Sequence, residues 1–240
     1  MLGDDVRELT DVDPTMTVLR YLREVEGRVG TKEGCAEGDC GACTVVMVEL
    51  DGAGGLAHRA INACIQFLPT LDGKQILTVE DLRRDDGALH PVQQALVDQH
   101  GSQCGYCTPG FVMSLYAHYQ TGAPTDRQSI DDALTGNLCR CTGYGPIVAA
   151  ARAMATMAVS SAAKDQNVQS VLEDWATGGG VALDQDGRKY FAPSSVDELA
   201  EIYAAHPDAT ILAGGTDVGL WVTKQHRRLG TVIYLGDVAD

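Results

Sequence analysis

Eight cysteines constrain this chain more than any other feature, because none of them lies beyond Cys141 in a sequence of 240 residues. They are Cys35, Cys40, Cys43 and Cys64, then Cys104, Cys107, Cys139 and Cys141. These are two groups of four, each confined to its own stretch. Cysteines kept only as buried hydrophobes would be scattered along the whole length. Disulfides are poor candidates in a reducing compartment. The chain opens MLGDDVREL, acidic from Asp4, with no basic-then-apolar leader, so the expected address is the cytoplasm. Two four-thiolate metal sites are the reading that remains.

Composition removes other classes. With 45% hydrophobic residues a core can form, which argues against wholesale disorder. Lys+Arg 18 against Asp+Glu 33 gives a net charge of −15, the wrong sign for a general binder of nucleic acid or anionic membrane. Aromatics at 5% leave few platforms for stacking bases. No run approaches the ~18–20 apolar residues of a membrane span.

The first cysteine set is spaced C-x4-C-x2-C-x20-C. Three thiolates from one tight loop and a fourth from a distant strand suit a [2Fe–2S] core, and plant-type ferredoxins share the opening spacing. Gly34, Gly38 and Gly41 let the loop close round that core with N–H groups turned toward sulfur. Zinc favours paired C-x2-C knuckles ~15–20 residues apart, so the x4 gap and the glycines point away from it. The second set, C-x2-C-x31-C-x1-C, is ambiguous between iron–sulfur and zinc on spacing alone. Helices expected after each of its pairs would aim positive N-termini at the site.

Along the chain, 17–26 place Val18, Leu19, Leu22 and Val25 on one helical face, with Gly27 as the stop. Strands are expected at 44–50, 58–64 and 75–78, making a small sheet crossed by one helix. The opening RELTDVDP reads as the second half of a β-hairpin whose first strand largely precedes Met1. Beyond residue 80, helices are expected behind Pro91 and Pro109, from Ser129 and from Gly145, a compact bundle. Residues 158–176 are small, polar and weakly patterned, and read as a surface linker. A third unit follows, with a strand near 189–192, a helix from Ser195 with Glu198 at capping-box spacing, and strands at 210–213 and 231–235. At about 60 residues it is short for a free-standing α/β domain, and is expected to be the opening of a larger one.

KEGCAEGDCGACTVV (32–46), GSQCGYCTPGFVMSL (101–115) and GNLCRCTGYGPI (136–147) together resemble the iron–sulfur part of the molybdenum hydroxylases. EGDCGAC and AGGTDVGL resemble especially the small, FAD-carrying subunit of that family's bacterial xanthine dehydrogenase branch. The resemblance implies an α+β chain in four stretches. Residues 1–79 would be a ferredoxin-like β-grasp [2Fe–2S] domain and 80–157 a four-helix-bundle [2Fe–2S] domain. The linker 158–176 would lead into 177–240, the N-terminal piece of an α/β FAD-binding domain. It further implies that all eight cysteines ligate iron and that Leu212, Ala213, Gly214, Gly215, Thr216 and Asp217 lie against the FAD pyrophosphate. Gln103 would touch the molybdopterin held by a separate large subunit.

Electrons from purine hydroxylation at molybdenum would then run through both clusters to FAD and NAD, in an (αβ)2 heterotetramer with no nucleic-acid or membrane partner. No catalytic residue is expected here, since the molybdenum domain and its glutamate are absent from these 240 residues, as is the second half of the flavin domain. Alternatives are an aldehyde- or N-heterocycle-oxidising relative, a stand-alone double-cluster carrier, which the flavin-domain opening argues against, and a zinc-stapled scaffold.

Other features invite blander readings. The GGT turn is weak by itself, although paired glycines at a strand-to-helix turn suit an anion. Gly178, Gly179 and Gly180 read as a flexible domain entrance, and the six histidines as surface or core. Arg140 tunes the cluster potential, salt-bridges a partner or sits on the surface. Glu33, Glu37 and Asp39, flanking the first cluster loop, either make its potential more negative or are simply solvated, and Lys224, His226, Arg227 and Arg228 are too few for nucleic acid.

Overall fold

Thr17 starts the first helix by accepting the Arg20 N–H on its hydroxyl, at 3.3 Å. The computed structural model describes residues 1–84, 86–157, 162–176 and 178–239. Helix α1 (Val18–Arg20) continues as a π turn over Tyr21–Val25, and Gly27, at φ +67°, ends it. Strand β1 (Thr44–Leu50) pairs antiparallel with β2 (Leu56–Asn62) on one side and β3 (Gln75–Leu77) on the other. The β1 run TVVMVEL is buried on both faces, which is why it is β-branched without polar alternation. Val45 faces α1, while Val46 and Val48 enter the core of the helical unit. One strand is therefore the wall shared by the two cysteine-bearing units.

The expected N-terminal hairpin is corrected. Residues 7–14 form no strand; instead Leu2 bridges Ile76 in parallel sense, with Gly3 donating to the Ile76 carbonyl at 2.9 Å. The acids of 7–14 are used elsewhere: Asp11 accepts from Gln185 at 2.8 Å and Asp13 from Arg188 at 2.6 Å.

The helical unit comprises α2 (Pro91–Asp98), α3 (Thr108–Gln120), α4 (Arg127–Leu134) and α5 (Gly145–Met154). Proline occupies the first turn of α2, α3 and α5, where a missing N–H costs nothing, and Asp126 caps α4. Helix α3 is central, burying Phe111, Met113 and Leu115 against β1 and its neighbours.

The stretch expected as a surface linker is helical over most of its length, α6 (Ala162–Ala176), with 158–161 outside the described residues. Good helix formers explain it, together with Val168 and Leu172, which are buried one turn apart.

In the third unit β4 (Val181–Gln185) and β5 (Arg188–Ala192) form a hairpin that the sequence reading reached only at β5. Its two-residue turn, Asp186-Gly187, has both residues at positive φ, as a primed turn requires. Then follow α7 (Val196–Ala205), capped by Ser195, β6 (Thr210–Leu212), α8 (Val218–Thr223) and β7 (Thr231–Tyr234). The sheet order is β4-β5-β7-β6, with β5 and β6 parallel to β7. Gly180 is more than a spacer, since a side chain there would press into the Ala192 carbonyl and the Glu198 carboxylate.

The third unit is docked on the first. Phe67, 1% exposed, belongs to the core formed by Tyr190, Ala192, Leu212 and Val232, while Leu220 of α8 packs against the first unit's core. Lys74 and Asp237 pair across the seam at 2.9 Å.

Candidate iron–sulfur and flavin sites

Residues 33–43 form a loop ahead of β1, and Cys64 follows the end of β2, so the sheet presents the fourth thiol to the other three. The loop turns its amides inward. Cys35 N–H points at the Cys40 sulfur and Cys40 N–H at the Cys35 sulfur, each at 3.4 Å. Burial would raise the Cys35 thiol, but the N–H groups of Glu37, Cys40 and Asp39 outweigh it and hold the thiol below its ordinary range. Cys43 is likewise held low, chiefly by the Cys64 thiol, and Cys64 is driven upward in return. The first set thus divides into two pairs, Cys35 with Cys40 and Cys43 with Cys64.

In the second set all four thiols act on one another, with the strongest influences between Cys104 and Cys141 and between Cys107 and Cys139. Cys107 is the N-cap of α3, and burial followed by the Cys139 thiol pushes it up to about 12. Cys139 is lowered in spite of burial by the hydroxyl and N–H of Thr142, whose oxygen lies 3.1 Å from the sulfur. Cys139 and Cys141 stand just ahead of α5, so both pairs lie near helix N-termini.

Among the described residues no three His, Cys, Asp or Glu side chains converge closely enough to hold one metal ion. Paired thiols ringed by N–H donors fit a two-iron core, where each iron takes two thiolates and the whole is net negative. The donor sets therefore fit [2Fe–2S] clusters at both places.

Contacts that the sequence reading missed connect these sites. The Leu138 N–H donates to the Cys40 carbonyl at 3.0 Å. Asn137, buried, donates to the Gly41 carbonyl at 3.1 Å and to Thr44 Oγ1 at 3.3 Å, and accepts from Ser114 at 2.6 Å. Gly110 of α3 lies directly on the Gly41 carbonyl, leaving no room for a Cβ. Tyr106 OH donates to the Glu33 carbonyl. These residues carry no chemistry of their own and have no spacing rule, which is why only coordinates reveal them.

Around the second set Gln103, Cys104, Tyr106, Leu138, Arg140, Cys141 and Tyr144 are exposed on the outside. In the turn before α8, Ala213, Gly214, Thr216 and Asp217 are exposed, Gly215 sits at φ +74°, and Gly214 has open space beside its Cα. Leu212 differs, since its side chain is sealed in the core and only its backbone faces the turn. The turn suits an anion approached by backbone. It rests on the first cysteine set, with Gly219 tight against the Ile65 carbonyl, next to Cys64.

The fold and thiolate pairs define a two-cluster iron–sulfur protein carrying a flavin-type α/β segment. Three domain families match it in the same order: a 2Fe–2S iron–sulfur cluster binding domain over 3–67, a [2Fe–2S] binding domain over 78–152, and the FAD binding domain in molybdopterin dehydrogenase over 182–240. The xanthine dehydrogenase of Emericella nidulans is 34% identical over 278 aligned positions, which cover 97% of this chain and 20% of that protein. Among solved structures, quinoline 2-oxidoreductase from Pseudomonas putida 86 is 35% identical with a TM-score of 0.51, covering 62% of this chain and 89% of that one. Aldehyde oxidoreductase from Desulfovibrio gigas is 34% identical with a TM-score of 0.56, covering 65% and 16%. The chain belongs to the molybdenum hydroxylase family, of which it carries the two [2Fe–2S] domains and an FAD-domain segment. It spans about a fifth of the length of the curated relatives it matches.

Proposed function

We propose that this chain is the electron-transfer portion of a xanthine-dehydrogenase-type molybdenum hydroxylase. It takes electrons from a molybdopterin centre on a large partner subunit and delivers them to FAD and NAD as hypoxanthine or xanthine is hydroxylated. The observation that carries this reading is the bond from Leu138 N–H to the Cys40 carbonyl, 3.0 Å long, which joins the two cysteine sets by one hydrogen bond and one peptide. When bound, the clusters supply one-electron storage and the flavin two-electron acceptance.

The protein's own part is spacing and shielding. Asn137, Gly41 and Gly110 fix the distance between the sets, and the N–H groups of the 33–43 loop favour charged sulfur. The exposed face around Cys104 and Cys141 supports docking of the large subunit there, with Gln103 as its pterin contact. The open Ala213–Asp217 turn supports a pyrophosphate beside it, held by the backbone of Leu212, Ala213, Gly214, Gly215, Thr216 and Asp217. Eight unbridged cysteines support a reducing, cytoplasmic address, and no described helix is long and apolar enough to cross a membrane. The assembled enzyme on this reading is an (αβ)2 heterotetramer.

Low-temperature EPR of the anaerobic, dithionite-reduced chain tests the electron-transfer part, with iron and sulfide assayed on the same sample. Two distinct signals with about four irons and four sulfides per chain are expected; a colourless, zinc-containing protein overturns it. A second reading, oxidation of an aldehyde or an N-heterocycle, is favoured by the names of the two solved neighbours. Cluster bleaching by xanthine, but not by an aldehyde or quinoline, in the complex with the large subunit decides between them.

A further inference from the structure

Lys224 stands at the C-terminal cap of α8, in the flavin-type segment, yet its ammonium reaches the first cysteine loop. There it donates to the carbonyl of Cys35 and pairs with the Glu37 carboxylate at 3.3 Å. This is not a lysine that meets an acid by chance on a mobile surface. Its helix is fixed from both sides, by Leu220 and Gly219 against the first unit's core at Ile65 and by Val218, Trp221 and Val222 against the third unit's core. Helix α8 thus packs on Ile65, the residue after Cys64, and its C-terminal cap reaches the ligand loop at Cys35. The loop it meets is acidic, with Glu33, Glu37 and Asp39 all close to the thiols.

We propose that Lys224 is a positioning residue that sets the reduction potential of the first cluster, and so couples that potential to docking of the flavin segment. The inference rests on the reading that Cys35, Cys40, Cys43 and Cys64 hold a [2Fe–2S] cluster. Reduction adds one negative charge to a site that is already net negative. A cation held on the backbone of a ligand residue stabilises the reduced form more than the oxidised one, and it offsets the field of Glu37. Glu37 and Lys224 are each about two-fifths exposed, so as a salt bridge the pair adds little to folding stability. Its effect falls on the equilibrium of the added electron.

The test is a redox titration of the full chain, followed by EPR so that the two clusters are read separately. Lys224→Met keeps the stem and removes the charge. At a fixed solution potential it lowers the reduced-to-oxidised ratio of the first cluster about three- to tenfold, equivalent to ~30–59 mV for one electron. The second cluster is unmoved and serves as the internal reference. Lys224→Arg restores the wild-type midpoint, and Glu37→Gln shifts it in the opposite direction. Raising the salt concentration narrows the gap between wild type and Lys224→Met, which a merely structural role would not do. Two intact signals with an unshifted first midpoint in Lys224→Met overturn the role of Lys224 alone. A wild-type protein lacking the first signal overturns both this role and the ligand assignment beneath it.

Discussion

Leu138 and Cys40 are joined by a 3.0 Å backbone hydrogen bond, and Leu138 is the neighbour of Cys139. Two metal-binding units that are far apart in sequence are thereby in contact through their ligand backbones. The geometry is held by Asn137 one residue earlier, whose side chain bonds Gly41, Thr44 and Ser114. Replacing Asn137 by Ala removes these bonds and leaves the buried Ser114 hydroxyl without its acceptor, while the Gly41 carbonyl keeps the N–H and hydroxyl of Thr44. The expected cost is about 1–3 kcal/mol, measured as a fall in the denaturation midpoint. The magnetic interaction between the two reduced clusters weakens with it. Unchanged stability and an unchanged EPR lineshape would remove Asn137 from this role.

Gly110→Ala is expected to be worse than its single methyl suggests. The new Cβ meets the backbone of Gly41, which cannot rotate away as a side chain would. Overpacking of this kind costs about 1–3 kcal/mol or more. The same change at Gly122, where a Cβ meets nothing but φ is +62°, costs only the strain of a left-handed residue. Comparing the two melting temperatures separates clash from strain.

Phe67→Ala opens a hole in the core of the third unit although the residue belongs to the first. The expected loss is about 3–5 kcal/mol. It appears as detachment of the flavin-type segment, with both cluster signals retained. Limited proteolysis followed by mass spectrometry reads this out, and loss of the clusters in step with the segment would contradict it.

The two thiolate sets are expected to load independently. Cys104→Ser takes a ligand from the helical unit and leaves the first set intact. Iron falls from about four to about two per chain, with one EPR signal surviving. Loss of both signals would mean that the units fold as one.

His90 supplies a pH dependence. Burial, followed by the charge of Arg84, holds it near 4, against an ordinary value of 6.5. Its ring caps α2, accepting the Val92 N–H at 3.3 Å, and packs edge-on against Tyr116 and Tyr119. Because the folded value is depressed, the unfolded chain binds more protons between about pH 6.5 and 4. The contribution is complete above 6.5, falls as pH drops through that window and levels off below it. Allowing for partial solvent access, about 1–2 kcal/mol is at stake. His90→Asn keeps a capping side chain and removes the titration, so its denaturation midpoint is flatter over that range. An unchanged slope would exclude His90.

Much of this was legible from the residues. The cysteine spacings and flanking glycines pointed to two groups of thiols, and Pro91, Pro109 and Asp51-Gly52 marked element boundaries, because each is a local rule. The N-terminal hairpin expected at 7–14 does not form, because Asp11 and Asp13 answer to Gln185 and Arg188, far away in sequence. Helix α6 was missed because its apolar stripe is only two buried residues wide, Val168 and Leu172. Asn137, Gly110 and Lys224 act through what they touch, and no pattern along the chain records that.

Phe67 has a further consequence when the order of synthesis is considered. On the ribosome it emerges, together with the first cysteine set, well before β5, β6 and β7 exist to cover its ring. The part of the seam that carries Lys224 across to Cys35 is made later still, and the Lys74–Asp237 pair after it. Until Lys224 emerges the Cys35 carbonyl and the Glu37 carboxylate are without their partner from the flavin segment on the nascent chain, although the ligand loop itself is already made.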